Sequence, residues 1–449
     1  MTELMTILQN LEGTMSAVAL RQLMVIVPAV LAMSGQVTML NISRWTGEGG
    51  SYKTIQRFYN TQIVWLQVNW ALMSAQFGEQ KGTYLLVGDE TTVTKAGKKT
   101  HGLDRFFSSI YGKAVRGLSF LGVSLVSVEE KTSTMLLMEQ LTREKSTSPK
   151  TPGSTSCKEK PSQKKVSKKT IKSKGGRPKG SKNKNRRDIE LPAHLQNIQN
   201  CFKQVLEVTS KQLTIKYAVL DGAFGNNAAV QMVRRLDLHL VSKLNRNAAL
   251  FFPYMGEYSG KGRPRIYGDK LNYDQIPQEH LEESLTEDGT RTDIYCMTMR
   301  HKLFPDPLRI VLIVKTKLDS GQRAHVVLFS TDTSLSGKQI MQYYSLRFQI
   351  EFNFRDAKQY WGLEHFMNVN ERPVYNAANF ALFMVNLTAL LLKQRRSQHC
   401  PDFGVHDLKS EFHGHFYAQE AIKLLPETPD ESLIDAIFSH FGSIGTVHS

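Results

Sequence analysis

A mixed α/β fold, an α+β mixed sheet with helical regions at both ends, follows from three patterns in this 449-residue chain. Short apolar runs with β-branched content and flanking glycines recur through its middle and read as buried strands. Helix-like stretches separate several of these runs. Residues 1–78 and those after Trp361 read as helical. The length is about three domains' worth.

Residues 1–78 are expected to form a helical N-terminal unit. Within it, residues 43–59 read as a turn and then a helix, with Ser51 as N-cap and basic positions on the helix. That shape suits a DNA-reading helix-turn-helix, and a helical cap on the rest of the fold is the other reading. Residues 79–244 hold the first part of a core. There, 83–89 reads as a short buried strand ending on Asp89, and 106–110 and 117–127 read as two further strands. A helix at 195–211 precedes a strand at 213–221, which ends on Asp221-Gly. A helix at 226–236 and a strand at 238–244 follow. An acid at the tip of a buried strand can point out of a packed sheet, although an Asp beside Gly is also an ordinary turn starter.

The gap between Asp221 and Glu351 is 130 positions (351 − 221), too long for a plain connection. Strand-like runs at 293–299, 308–315 and 324–330 make 245–337 a β-rich insertion. Residues 338–365 are expected to supply a helix that completes the core, and 366–449 a helical C-terminal region. Read as one helix at about 100° per residue, Tyr344, Arg347, Glu351 and Lys358 fall within roughly 60° of arc. Beside them runs an apolar stripe of Leu346, Ile350, Phe354, Ala357 and Trp361, fit to bury against a core. The polar stripe presents one carboxylate between cations. A surface helix with an Arg347–Glu351 i,i+4 pair gives the same spacing.

The spacing Y-x2-R-x3-E-x6-K resembles the signature of the insertion-sequence "four" family of DDE transposases. The series β-β-β-α-β-α-β followed by a helix is the order of the ribonuclease H-like fold. The resemblance places the family's three acids at Asp89, Asp221 and Glu351, as catalytic and metal-binding residues. It implies two Mg²⁺ or Mn²⁺ ions, which suit oxygen ligands. It also implies that Arg347 and Lys358 neutralise phosphates and that Tyr344 touches a phosphate or packs beneath the site. Arg355, near the same stripe, is a further phosphate contact. Glu90 is expected on the opposite strand face and not in catalysis, and Asp356 at the surface. Lys95, Lys98, Lys99 and His101 could line the DNA path or form a solvated basic loop. The implied activity is DNA transposition: binding of double-stranded inverted repeats, strand cleavage and strand transfer, by a homodimer on DNA. A ribonuclease H-like nuclease that does not join, and an inactive transposase-derived regulator, are the alternatives.

The net charge is +16. Residues 143–187 hold 17 Lys and Arg against Glu144 and Glu159, which is +15 and leaves about +1 for the remainder. So basic a segment, nearly without large apolar residues, cannot offset its ordering entropy, and 143–190 is expected to be a disordered insertion. Inside it, 174–182 resembles an AT-hook around Arg177 and Lys179, suited to the minor groove. A generic basic linker on phosphates is the other reading. A second tract at 260–265 carries Arg263 and Arg265, which fit a structured basic loop over DNA or a hook. Some family relatives use a Trp in the insertion to hold a flipped base. Here the four Trp are Trp45, Trp65, Trp70 and Trp361, so only Phe251, Phe252 or Tyr254 could substitute. Cys157, Cys201, Cys296 and Cys400 are scattered and read as free thiols in a reducing compartment, without a zinc site. His413-Gly-His415 has the look of a metal-ligand pair, with a surface pair the far commoner reading. The apolar runs 23–33 and 380–392 are too short to span a bilayer, the second being broken by Asn386. A cytoplasmic, nucleoid-associated protein with no membrane contact is the resulting expectation.

Overall fold

The computed structural model describes residues 2–47, 49–77, 82–108, 111–142, 186–258, 260, 262–398, 400–427 and 429–448. Most of the basic segment, including Arg177, Lys179 and the AT-hook-like tract, lies outside them. Side-chain caps start the first helices. Ser16 accepts from the Ala19 N–H, Thr38 from Asn41 and Ser51 from Thr54. After α1 (Thr2–Gln9) these caps open α2 (Ala17–Ala32), α3 (Met39–Trp45) and α4 (Tyr52–Asn60), and α5 (Trp65–Met73) follows. Exposed Arg44, Lys53 and Arg57 lie on α3 and α4, opposite the buried Ile55, Phe58 and Tyr59. These helices share one hydrophobic core with the rest of the chain.

The first strand, β1 (Tyr84–Thr94), is longer than its sequence suggests. Asp89 therefore sits in mid-strand and not at a tip. Polar residues with β-branched Thr91, Thr92 and Val93 carry the strand on, because β3 pairs with it along its whole length. Next come β2 (Asp104–Ser108), β3 (Lys113–Ser127) and β4 (Ser133–Leu141). Four strands, not three, thus precede α6 (Ala193–Thr209). The additional one is β4, whose Met- and Leu-rich run gives no strand-specific alternation. Then follow β5 (Tyr217–Val219), α7 (Asn227–Arg234) and β6 (His239–Leu244). The insertion supplies β7 (Leu250–Pro253), β8 (Tyr267–Lys270), β9 (Leu281–Glu287), β10 (Thr290–His301), β11 (Leu308–Lys317) and β12 (Arg323–Ser330). The helices α8 (Gly337–Leu346), α9 (Gln349–Gln359), α10 (Glu371–Gln398), α11 (Val405–Ile422) and α12 (Glu431–Ser443) close the chain.

All strands join one 12-stranded mixed sheet. Its heart is β4-β3-β1-β5-β6, with an antiparallel meander on one side and β1, β5 and β6 parallel on the other. This is a ribonuclease H-like core. The insertion extends the same sheet, because β12 pairs antiparallel with β6 and leads on to β11, β10, β7 and β8.

Helices cover the core on two faces. A Cβ at Gly88 would meet the Phe202 ring of α6, whereas one at Gly122 would overlap the Phe354 ring of α9. Gly122 is the cross-strand partner of Asp89. Asp89 therefore points to the α9 face, and a glycine beside it lets α9 come close. Leu346 at the end of α8, Ile350, Phe354 and Ala357 on α9, and Trp361 just past it are all buried, as the apolar stripe requires. Burial of side chains the size of Leu346, Ile350 and Phe354 contributes roughly 1.5–3 kcal/mol each.

One expectation fails here. The residues from Tyr344 to Lys358 do not form one continuous helix. Bonding tightens to i−3 at Phe348, Ile350 and Glu351, so α8 ends at Leu346 and α9 begins at Gln349. Neither Pro nor Gly marks the corner, so the sequence gives no warning of it. Ser336 and Gln339 form a capping box that fixes the start of α8.

The helix α10 is long and apolar enough to cross a membrane, and 83% of its apolar window is buried inside the protein. It lies along β4 and carries Asn376, Asn379 and Asn386 into the core. His413 and His415 are half-buried and not surface groups. His413 Nδ1 donates to the Ala32 carbonyl at 2.7 Å, closing the end of α2.

Candidate active site

Strand register brings the first two acids together. The parallel pairs are Leu85 with Tyr217, Leu86 with Ala218 and Val87 with Val219. Asp89 and Asp221 each lie two residues beyond the last pair. Adjacent strands run about 4.8 Å apart, so the two acids stand side by side where β5 ends and the chain turns. Asp221 Oδ1 accepts the Ala223 N–H at 3.0 Å, which is the turn-starting role. Its carbonyl accepts from Ser242 Oγ at 2.6 Å and is thereby tied to β6. Turn and site are thus compatible uses of one side chain, because Oδ2 takes no part in the turn.

The third acid reaches the same place through an arginine. Arg347 donates from Nη1 to Asp89 Oδ2 at 2.5 Å and from Nη2 to Glu351 Oε1 at 2.9 Å. One guanidinium therefore spans a sheet carboxylate and a helix carboxylate. All three acids line one open cleft of about 1300 Å³, together with Glu90, Arg347, Arg355 and Lys358. Burial pushes the Asp89 carboxyl up; Arg347 and the Glu90 N–H oppose this, while Asp221 and Glu351 add to it. Burial also works against the Arg347 charge, but Asp89 and Glu351 outweigh it and raise its pKa. Arg347 Nε is buried without a hydrogen-bond partner among the described residues. Such a cost is of order 1–3 kcal/mol, and the fold tolerates it here.

The remaining predicted residues divide. Tyr344 is half-buried beside Arg347, its ring about 6.0 Å from the guanidinium carbon, and burial raises its phenol. Lys358 lines the cleft, but its Nζ donates to the Thr92 carbonyl at 3.0 Å and lies 3.8 Å from Glu364. Burial lowers its pKa, offset in part by Glu364. Arg355 lines the cleft over the Phe352 ring and pairs with Asp356 at 3.0 Å. Arg263 and Arg265 sit between β7 and β8, and neither lines the cleft with the acids. Counted along the sheet, β8 is seven strand steps from β1, on the order of 30 Å. Phe251, Phe252 and Tyr254 share that far region and pack on Tyr267, His280 and Arg265. Lys95 is held by the Glu364 and Phe366 carbonyls.

Two further residues line the cleft outside the expected set. Glu90 does point to the opposite strand face, as expected, where His194 of α6 meets it at 3.3 Å. It nevertheless lines the cleft, and its carboxyl is raised first by burial, with Asp89 and Asp221 adding to the rise. Phe107 of β2 borders the cleft as well. The signal for Glu90 was its place beside Asp89; nothing in the sequence marked Phe107.

Three carboxylates are the right chemistry for a hard divalent cation. As placed, they do not close around one: Arg347 stands between Asp89 and Glu351. Among the described residues no three His, Cys, Asp or Glu side chains gather closely enough to hold an ion.

A ribonuclease H-like core whose carboxylates meet where β5 ends and β1 runs on suits the class of polynucleotide-cutting enzymes. The chain is a member of the DDE superfamily endonucleases: that family's model matches residues 10–301. The match takes in Asp89 and Asp221 and stops short of Glu351, whose place in the site rests on the Arg347 bridge. A search of curated proteins returned no match.

Proposed function

We propose that the protein is a DNA transposase of the insertion-sequence "four" type, which cleaves strands at inverted-repeat ends and joins them to a target. The observation that carries this reading is the in-register placement of Asp89 and Asp221 with Glu351 brought against them by Arg347. Asp89, Asp221 and Glu351 would hold Mg²⁺ or Mn²⁺, and holding them requires Arg347 to release its two carboxylates. When bound, such ions activate water and stabilise a leaving oxygen. A DNA phosphate gives the freed guanidinium a bidentate partner, so substrate entry and exposure of the acids are coupled. Lys358, Arg355 and Tyr344 then border the scissile phosphate. The exposed Arg44, Lys53 and Arg57 of α3 and α4 suit the reading of an inverted repeat, and a homodimer on DNA would pair two ends. Arg263 and Arg265, far along the sheet, suit duplex away from the cut. The basic segment with Arg177 and Lys179 adds further contact with DNA.

A target-joining assay with precut ends tests the reading. Joined product dependent on a divalent ion is expected. Cleavage without any joining would favour a plain nuclease of the same superfamily.

A further inference from the structure

The hairpin of β2 and the start of β3 has an outer face that the cleft chemistry does not use. Its register sets Arg105 opposite Arg116 and Phe107 opposite Ala114. Directly paired residues share a sheet face, as do residues two apart, so these four side chains form one surface. All four are exposed, and Phe107 is 68% exposed. Two like charges directly opposite each other destabilise a strand pair. No acid relieves them: among the described residues Arg105 and Arg116 have no ion pair. The neighbouring Asp104 lies on the other face, and its carboxylate accepts the Arg105 backbone N–H at 2.7 Å.

The hairpin is tied to the candidate active site. Phe107 lines the cleft with the three acids, and its carbonyl accepts from Thr92 Oγ1 at 3.1 Å. Thr92 lies on the same strand as Asp89, and its carbonyl holds Lys358. We propose that this face is a DNA-binding surface that grips the phosphate backbone of the strand entering the cleft, a proposal that rests on the reading of the cleft as a DNA-cutting site. Two opposed guanidinium groups suit a ligand with closely spaced negative charges, and each can bind a phosphate bidentately. The aromatic ring at the cleft edge favours DNA over an acidic peptide, because a base can stack on it.

The test uses the full-length chain and a fluorescein-labelled random-sequence duplex, with affinity read by anisotropy across a salt series. Arg105→Gln with Arg116→Gln should weaken binding about tenfold at low salt and make the log–log salt slope shallower by about 2. Its melting temperature should equal or exceed the original, since a repulsive pair is removed. Arg105→Lys with Arg116→Lys keeps the charge and should restore most of the slope. Unchanged affinity and slope in the Gln pair overturn the proposal, as does a Lys pair as weak as the Gln pair. Preference for a polyglutamate peptide over the duplex also overturns it. Normal cutting by the original chain alongside unchanged binding by the Gln pair removes the hairpin assignment alone. Absence of any DNA cutting by the original chain removes the reading of the cleft instead.

Discussion

Two polar clusters are built on the same antiparallel meander and treat their hydrogen bonds in opposite ways. Along the free edge of β4, Asn386 accepts the Met135 N–H at 3.1 Å and donates to the Met135 carbonyl at 2.6 Å and to Asn69 at 3.0 Å. Asn379 treats Met138 likewise, at 3.0 and 2.8 Å. The two contacts are three residues apart because the register shifts at Val123/Ser124, leaving Leu136 as a bulge. Asn69 takes the Leu136 carbonyl at 3.2 Å. Asn376 accepts from Trp65 Nε1 and donates to the Tyr59 and Thr61 carbonyls. Every amide here closes an open strand edge or a helix end, which is how a sheet avoids pairing with strangers. At the cleft, by contrast, two carboxylates share one arginine, whose Nε has no partner among the described residues. The α10 amides meet their partners fully, whereas the cleft leaves a buried guanidinium nitrogen without one among the described residues.

This contrast can be broken by substitution. The largest effect is expected at the cleft: Glu351→Gln should slow DNA cleavage by about 10³-fold or more while the melting temperature changes little. Asn386→Ala should do the reverse. It orphans the Met135 edge groups and Asn69, and should cost about 3 kcal/mol or more in urea unfolding, with cleavage per folded molecule unchanged. Gly122→Ala sharpens the comparison, because its Cβ would overlap the Phe354 ring that seats α9. Both stability and cleavage should fall, the former by roughly 1–3 kcal/mol as for other overpacked cores. The smallest effect is a pH trend. Burial lowers the Lys409 ammonium to about 8, where its Nζ donates to the Val30 and Leu31 carbonyls. A base with a folded pKa below its unfolded value is penalised fully below the folded value, and the penalty fades as pH rises toward the unfolded one. The urea midpoint of the original chain, relative to Lys409→Met, should therefore rise between pH 8 and about 10.

Much of this was legible in the sequence because the signals were local. Buried strands at 83–89, 117–127 and 238–244 and the apolar stripe from Leu346 to Trp361 all follow from period and composition. Asp89 and Asp221 were singled out at expected strand ends and Glu351 by the tyrosine-to-lysine spacing, and all three line one cleft. Less was legible where tertiary contact decides. The run into Thr94 became strand because β3 supplied a partner. The corner between α8 and α9 has no breaker residue, and Arg347 takes up both neighbouring acids only once β1 is beside it. The amides of α10 read as an interrupted apolar run until β4, itself unrecognised, showed what they cap.

The most direct measurement compares the original chain with Asp221→Asn for cutting of a supercoiled plasmid in Mg²⁺ or Mn²⁺, with melting temperature as the control for folding. The original chain should nick or linearise the plasmid, and the variant should fail to do so while melting at nearly the same temperature. Equal cutting by the folded variant would contradict the assignment of these acids as the site of DNA cleavage.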